Sequence, residues 1–193
     1  NWIRPSLLRS ICSKRMKCER FLWMETRRPA LPVSSPGNGS KRMDLSDNKR
    51  YNAGYSPLME YPHLFLNPQK EAGLLKLRHP WLFSDAIRKP EEVPDGRVCD
   101  VFLNDRKTFF ARGYYNSQSK IVLRILTRNP AEDIDQGFFE KRFRMLQNER
   151  GSFIDMTQTN AYRLCFAESD GLPGLIVDRY HDVFVAQIHT LGM

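Results

Sequence analysis

Two apolar runs, Tyr162–Ala167 and Leu175–Arg179, meet at Asp170-Gly-Leu-Pro-Gly174, and this turn constrains the chain more than any other stretch. Glycine admits backbone angles closed to other residues, and proline fixes one of them, so a rigid turn between two strands is expected. A minimal hairpin needs only two turn residues and alternating side chains. Here Arg163, Glu168, Asp170, Asp178 and Arg179 crowd the turn instead of spreading along the strands. Charge gathered at a rigid turn points to a site, and structural ion pairs are the equal alternative. Arg163, Glu168 and Asp170 are the candidates for a substrate cleft. Asp178 and Arg179 read as a structural pair, and Pro173 and Gly174 as shapers of the turn.

Upstream of this turn, His63–Asn67 reads as a short strand and Glu71–Leu77 as a helix with Leu74, Leu75 and Leu77 on its apolar face. Pro80 ends that helix, and Trp81 and Phe83 are expected core anchors. Arg97–Asn104, Thr108–Tyr115 and Ile121–Thr127 follow as strands joined by Asn/Asp/Ser turns, the pattern of a small barrel-like domain. Beyond Pro130, Asp133 or Asp135 caps a helix to about Arg150. Ile134, Phe138, Phe139, Phe143, Met145 and Leu146 form its apolar stripe, and Gly151 is its expected stop. A three-stranded sheet then occupies the rest, with a face and an edge expected to be uncovered.

The formal net charge of +8 invites a nucleic-acid reading, but its distribution weakens it. Residues 1–60 hold 12 basic and 5 acidic residues; residues 61–193 hold 18 and 17. The folded part is nearly neutral, so any basic surface there must be a local patch. Cys12, Cys18, Cys99 and Cys165 form no CxxC pair, and the four histidines are scattered, so no metal site or disulfide framework is expected. Cysteines used this way fit a reducing, cytoplasmic compartment. No apolar run approaches the roughly 20 residues of a membrane span. Neither a GxGxxG nor a GxxxxGK loop occurs, so a nucleotide cofactor has no expected pocket in this chain.

Residues 1–58 differ in composition from the remainder. Arg4, Arg9, Lys14, Arg15 and Lys17 come without an acid, and Pro29–Ser40 has linker character. A transit-peptide-like segment, a basic arm on RNA phosphates, and sequence foreign to the native protein are the three readings. The expected natural start is Met59, with Met43 second, and residues 1–58 are expected to be mostly disordered. The exception is a short helix that Leu7, Leu8, Ile11, Phe21, Leu22 and Trp23 could form.

Four segments in order carry a family resemblance: Leu74-Leu-Lys-Leu-Arg-His-Pro-Trp-Leu-Phe-Ser84, Ala111-Arg-Gly-Tyr-Tyr-Asn116, Ile121-Val-Leu-Arg-Ile-Leu-Thr127, and Tyr162–Arg179 with its ESDGLPGLIVDR core. Together, over about residues 60–193, they resemble the N-terminal part of the bacterial large-subunit ribosomal RNA cytosine 5-methyltransferases. The resemblance implies an α+β chain. A PUA-like RNA-binding pseudobarrel would span residues 59–130, a connecting helix 131–151, and the first part of a strand–strand–helix–strand–strand domain 152–193. It implies ribosomal RNA as partner, and S-adenosylmethionine as cofactor of a further methyltransferase domain that matches nothing in this sequence. Neither Cys99 nor Cys165 fits the family's nucleophile motif, so no catalytic residue is assigned and the chain alone is expected to be inactive.

PUA-type modules bind RNA beside their first helix, which nominates Lys76, Arg78 and His79. From the barrel strands come Arg112, next to Gly113 where another backbone can approach, together with Tyr114 and Arg124. The competing function is a stand-alone PUA-type RNA-binding protein without chemistry. A pseudouridine synthase is weaker still, because the DGLPG segment argues against it.

Overall fold

The computed structural model describes residues 60–88 and 93–193 in full, and residues 20–25 as backbone. It contains nine strands and two helices among the described residues: β1 (Arg20–Glu25), β2 (His63–Phe65), α1 (Pro68–Leu77), β3 (Trp81–Phe83), β4 (Val98–Phe102), β5 (Phe109–Tyr115), β6 (Ile121–Thr127), α2 (Gln136–Phe153), β7 (Ala161–Phe166), β8 (Leu175–Tyr180) and β9 (Val183–Ile188). A 3₁₀ turn at Ala167–Asp170 separates β7 from β8.

One sheet has the order β2-β4-β5-β6-β3, with β2 parallel to β4 and every other pair antiparallel. Its curvature has a local cause. A Cβ at Gly113 would lie 2.1 Å from the Arg124 carbonyl oxygen, so only glycine lets β5 and β6 approach at the bulge between Arg112 and Gly113. Leu64, Leu82, Cys99, Val101, Ala111, Leu123 and Ile125 fill the inner side. This is the expected half-barrel of an α+β chain.

The second sheet has the order β1-β9-β8-β7. The segment Arg20–Glu25, which includes the Phe21-Leu22-Trp23 expected in a short helix, is instead a strand parallel to β9. The remainder of 1–58 lies outside the described residues. Helix α2 begins where Asp135 accepts a hydrogen bond from the Phe138 backbone N–H at 2.8 Å. It continues through Gly151 to Phe153, so glycine does not stop it: a Cβ there would meet nothing within 4 Å, and the cost of an exposed helical glycine is only about 1 kcal/mol.

The outer face of the first sheet and the second sheet share one core. Val98, Tyr114 and Leu126 pack with Phe138, Phe139 and Phe143 of α2 and with Leu164, Leu175 and Val177 of the second sheet. The C-terminal residues fold back onto the barrel: Met193 is buried, and a Cβ at Gly192 would strike the Tyr114 ring at 2.1 Å. This core covers one face of the second sheet, and β1 pairs with β9, so an edge expected to be unpaired carries a strand.

Arg112 fixes this arrangement. It is fully buried, and its guanidinium donates to both carboxylate oxygens of Asp100, its register partner, at 2.6 and 3.1 Å. The same group donates to the Glu132 carbonyl at 2.6 Å, pairs with Asp133 at 3.3 Å and lies 4.1 Å over the Tyr61 ring. The Tyr61 hydroxyl accepts the Ile134 N–H at 2.9 Å. Barrel and helix entry are thus joined through one cation. Burial nonetheless pushes the Asp100 carboxyl above its ordinary range, against the pull of Arg112. Taken alone, that raised group favours the fold at low pH and loses its contribution as pH rises through the folded value. The pair therefore specifies geometry more than it adds net stability.

Arg112→Ala, which strands Asp100 in the interior, is expected to cost about 3–5 kcal/mol, whereas an Arg112→Met, Asp100→Leu double variant costs much less. Urea denaturation followed by circular dichroism measures both.

Candidate nucleic-acid interface

Helix α1 is set by its ends more than by burial. Pro68 occupies its first position, where no N–H is needed, and none of its residues is fully buried. Leu77 is 76% exposed and Leu75 49%, so of the expected apolar face only Leu74 packs, half-buried, against the barrel core. Glu71 accepts the Asn104 N–H at 2.8 Å and Lys70 pairs with Asp85 at 2.5 Å, which holds the helix against the barrel. The helix ends at Arg78, a non-glycine residue in left-handed conformation (φ 49°) whose N–H donates to the Leu74 carbonyl.

The junction after α1 is bonded to β6 and its exit. The Pro80 carbonyl accepts the Ile125 N–H at 2.8 Å, and the His79 carbonyl accepts from the Arg128 guanidinium at 3.1 Å. Arg128 lies 4.6 Å over the Phe110 ring. Between α1, the β4–β5 hairpin and the end of β6 opens a groove of about 340 Å³ lined by Leu75, Arg78, Leu103, Thr108, Phe109, Phe110 and Arg128. Burial, with the nearby Arg78 charge, lowers the Arg128 pKa from its ordinary value. Among the described residues no carboxylate reaches Arg78 or Arg128 within the 4.0 Å of an ion pair. Two like charges held together without a counter-charge form a site for an anion.

The structure divides the six residues expected to contact RNA. Arg78 lines the groove, while Lys76 and His79 are exposed beside it on the last turn and junction of α1. Arg112 and Tyr114 are corrections. Arg112 is consumed by the buried network, and Tyr114 is buried with its hydroxyl donating to the Pro173 carbonyl and accepting from Thr190 at 3.0 Å. Neither reaches the surface. Arg124 stands opposite Trp81 and Tyr114 in the ladder and donates to the Ile121 carbonyl at 3.3 Å, away from the groove. Sequence reasoning missed Thr108, Phe109, Phe110 and Arg128.

Each of the three cleft candidates has a partner within the chain. Arg163 makes a two-pronged pair with Asp178 at 2.8 and 3.0 Å, so the expected Asp178–Arg179 pair is not formed. Arg179 instead bonds the His181 carbonyl and the Tyr162 hydroxyl. Asp170 accepts from Arg150 at 2.5 Å and from the Phe166 N–H at 2.6 Å. Glu168 accepts the Trp81 indole N–H at 2.9 Å, a clasp between the first sheet and the glycine turn. Gly171 and Gly174 in that turn have φ of 70° and 80°, and a Cβ at Gly174 would come within 2.6 Å of Thr190. Phe83, expected in the core, is 46% exposed, and Leu82 takes the buried position of β3.

Residues 64–128 match the sequence family described as a PUA-like domain. They form a PUA-like domain. The chain is 40% identical over 130 residues to the ribosomal RNA large subunit methyltransferase I of Aeromonas hydrophila, covering 67% of this chain and 32% of that protein. The corresponding proteins of Tolumonas auensis and Klebsiella pneumoniae are 41% and 37% identical over 130 and 133 residues. This chain spans about a third of the length of these curated relatives. Among solved structures, a protein assigned as a SAM-dependent methyltransferase from Streptococcus mutans superposes with a TM-score of 0.56 at 22% identity, over 68% of this chain and 34% of that one. A second, assigned as a methyltransferase and complexed with SAH, gives 0.55 at 21%. These two show a shared fold. Among the described residues no helix is long and apolar enough to cross a membrane, and no three metal-ligating side chains cluster.

The clasp predicts a measurable coupling between the PUA-like domain and the glycine turn. In a double-mutant cycle of Trp81→Phe and Glu168→Ala, a coupling of about 0.5–1.5 kcal/mol is expected, and Glu168→Gln, which keeps an acceptor, should be less destabilising than Glu168→Ala. Additive effects in urea melts would show that the hydrogen bond carries no energy.

Proposed function

We propose that this chain is the RNA-recognition portion of a cytoplasmic, S-adenosylmethionine-dependent ribosomal RNA methyltransferase acting at carbon 5 of cytosine. The carrying observation is the groove of the PUA-like domain, lined by both Arg78 and Arg128 with no carboxylate in ion-pair range of either among the described residues. RNA phosphates neutralise such a pair, and the matched segment 64–128, with 12 basic and 7 acidic residues, carries the surplus positive charge that a polyanion partner needs. Homology to the methyltransferases supports the choice of ribosomal RNA. In this reading residues 59–130 are the RNA-binding module, 131–151 the connecting helix and 152–193 the start of the next domain.

The described residues do not fit the methyl donor. Helix α1, inside the crossover from β2 to β4, is entered through Asn67-Pro68 and not through a glycine-rich loop, so it offers no cradle for S-adenosylmethionine. Methylation at cytosine carbon needs a thiolate, and burial pushes the thiols of Cys99 and Cys165 up to about 12. Neither is reactive near neutrality. No step of methyl transfer is assigned to these residues.

The 193-residue chain is expected to bind ribosomal RNA without transferring a methyl group. In fluorescence anisotropy at two salt concentrations, Arg78→Ala, Arg128→Ala should reduce the logarithmic salt slope by roughly 0.7–0.9 for each phosphate that the variant no longer neutralises. An unchanged slope would refute the groove as the RNA site. Incorporation from radiolabelled S-adenosylmethionine above background would refute the division of labour.

A further inference from the structure

The groove has two chemically different halves. Arg78 and Arg128 line it within electrostatic reach of each other, with no carboxylate in ion-pair range among the described residues. Leu75, Leu103, Phe109 and Phe110 are its apolar lining. Leu75 is 49% exposed although it belongs to a helix lying against the barrel, so the groove leaves apolar surface in water.

Phe109 is supported from within the protein. Phe102 meets it edge-on with ring centres 6.0 Å apart, and the Arg112 guanidinium, itself fixed by Asp100, lies 5.8 Å from its centroid. Phe109 is half-buried and lines the groove. A partly exposed aromatic ring that is braced from behind is a preorganised stacking platform. Thr108 beside it is also fixed: Asp105 accepts from the Thr108 hydroxyl at 2.5 Å and from its N–H at 2.9 Å.

An A-form duplex presents stacked, paired bases and a regular row of phosphates, and side chains cannot enter its deep, narrow groove. Such a ligand would use the two arginines but leave the apolar lining uncovered. An unpaired nucleotide uses both halves, because its splayed base has a free π face and its phosphate lies a short distance away. We infer that the groove seats a single unpaired nucleotide, with its base against Phe109 and the leucines and its phosphate between Arg78 and Arg128. This deepens the RNA-binding reading and rests on it. The PUA-like domain would accordingly read a loop, bulge or single-stranded end of RNA, not a continuous helix.

The test compares a single-stranded RNA octamer with a blunt RNA duplex of the same sequence, using fluorescence anisotropy on the 193-residue chain. The Arg78→Ala, Arg128→Ala variant supplies the background that residues 1–58 contribute. A second variant, Thr108→Trp, fills the groove from an exposed position and leaves both arginines in place; Leu75→Trp does so from the opposite wall. Far-ultraviolet circular dichroism and a thermal melt confirm that each variant is folded. Above background, the octamer is expected to bind about tenfold or more tightly than the duplex, the factor that stacking of one base supplies. Either tryptophan variant should remove that preference while keeping the salt slope. If octamer and duplex bind equally above the double-alanine background, or if both tryptophan variants keep the preference, the nucleotide seat is wrong and the RNA-binding reading survives. If neither RNA binds above that background, both readings fail.

Discussion

The buried Arg112–Asp100 pair is the interaction on which the rest of the structure depends. It joins two adjacent strands of the barrel, reaches the Glu132 carbonyl and Asp133 ahead of α2, and lies behind the Phe109 ring of the groove. One guanidinium therefore sets the strand register, the entry of the second helix and the rigidity of a candidate base platform. Burial of an ion pair adds little net stability, but removal of either partner leaves an unpaired charge inside the protein. That asymmetry explains why a residue with no solvent exposure bears on a surface function.

Charge is used in two ways across the molecule. At the glycine turn, Arg163 is matched by Asp178 within the second sheet, Asp170 by Arg150 of α2, and Glu168 by the Trp81 indole of the barrel, so the crowded charges tie the turn to three elements. In the groove, Arg78 and Arg128 are left without a carboxylate among the described residues, and burial and mutual repulsion both act against the charge of Arg128. Matched charges build the scaffold, and the unmatched pair is where a polyanion gains the most by binding. The shared core of Tyr114, Leu126, Phe139 and Leu175 places both regions on one body.

Much of the fold is legible locally. Asp135 caps its helix, the Asp170–Gly174 stretch turns with two glycines at positive φ, and Gly113 admits a neighbouring backbone, because each follows from the chemistry of the residue itself. The site is less legible, for a physical reason. Strand alternation tells which residues share a face, but not which face another layer will cover. Arg112 and Tyr114 read as surface groups because nothing local reveals that Tyr61 and the segment ahead of α2 cover the first, or that α2 and the C-terminal residues cover the second. Arg128 lies just past the end of β6, where no periodicity marks it, and it becomes a groove residue only through its bond to the His79 carbonyl. The glycine turn draws attention as a site because its charges cluster; the partners each charge has on other elements become visible only in the fold.

Ultraviolet cross-linking of the chain to a ribosomal RNA fragment, with the attached peptides mapped by mass spectrometry, tests the central claim most directly. If the groove of the PUA-like domain is the RNA site, adducts fall on the peptides that carry Phe109, Phe110 and Arg128 and on the end of α1 around Arg78. Adducts confined to residues 1–58, or to the Arg163–Asp170 side of the glycine turn, would contradict it.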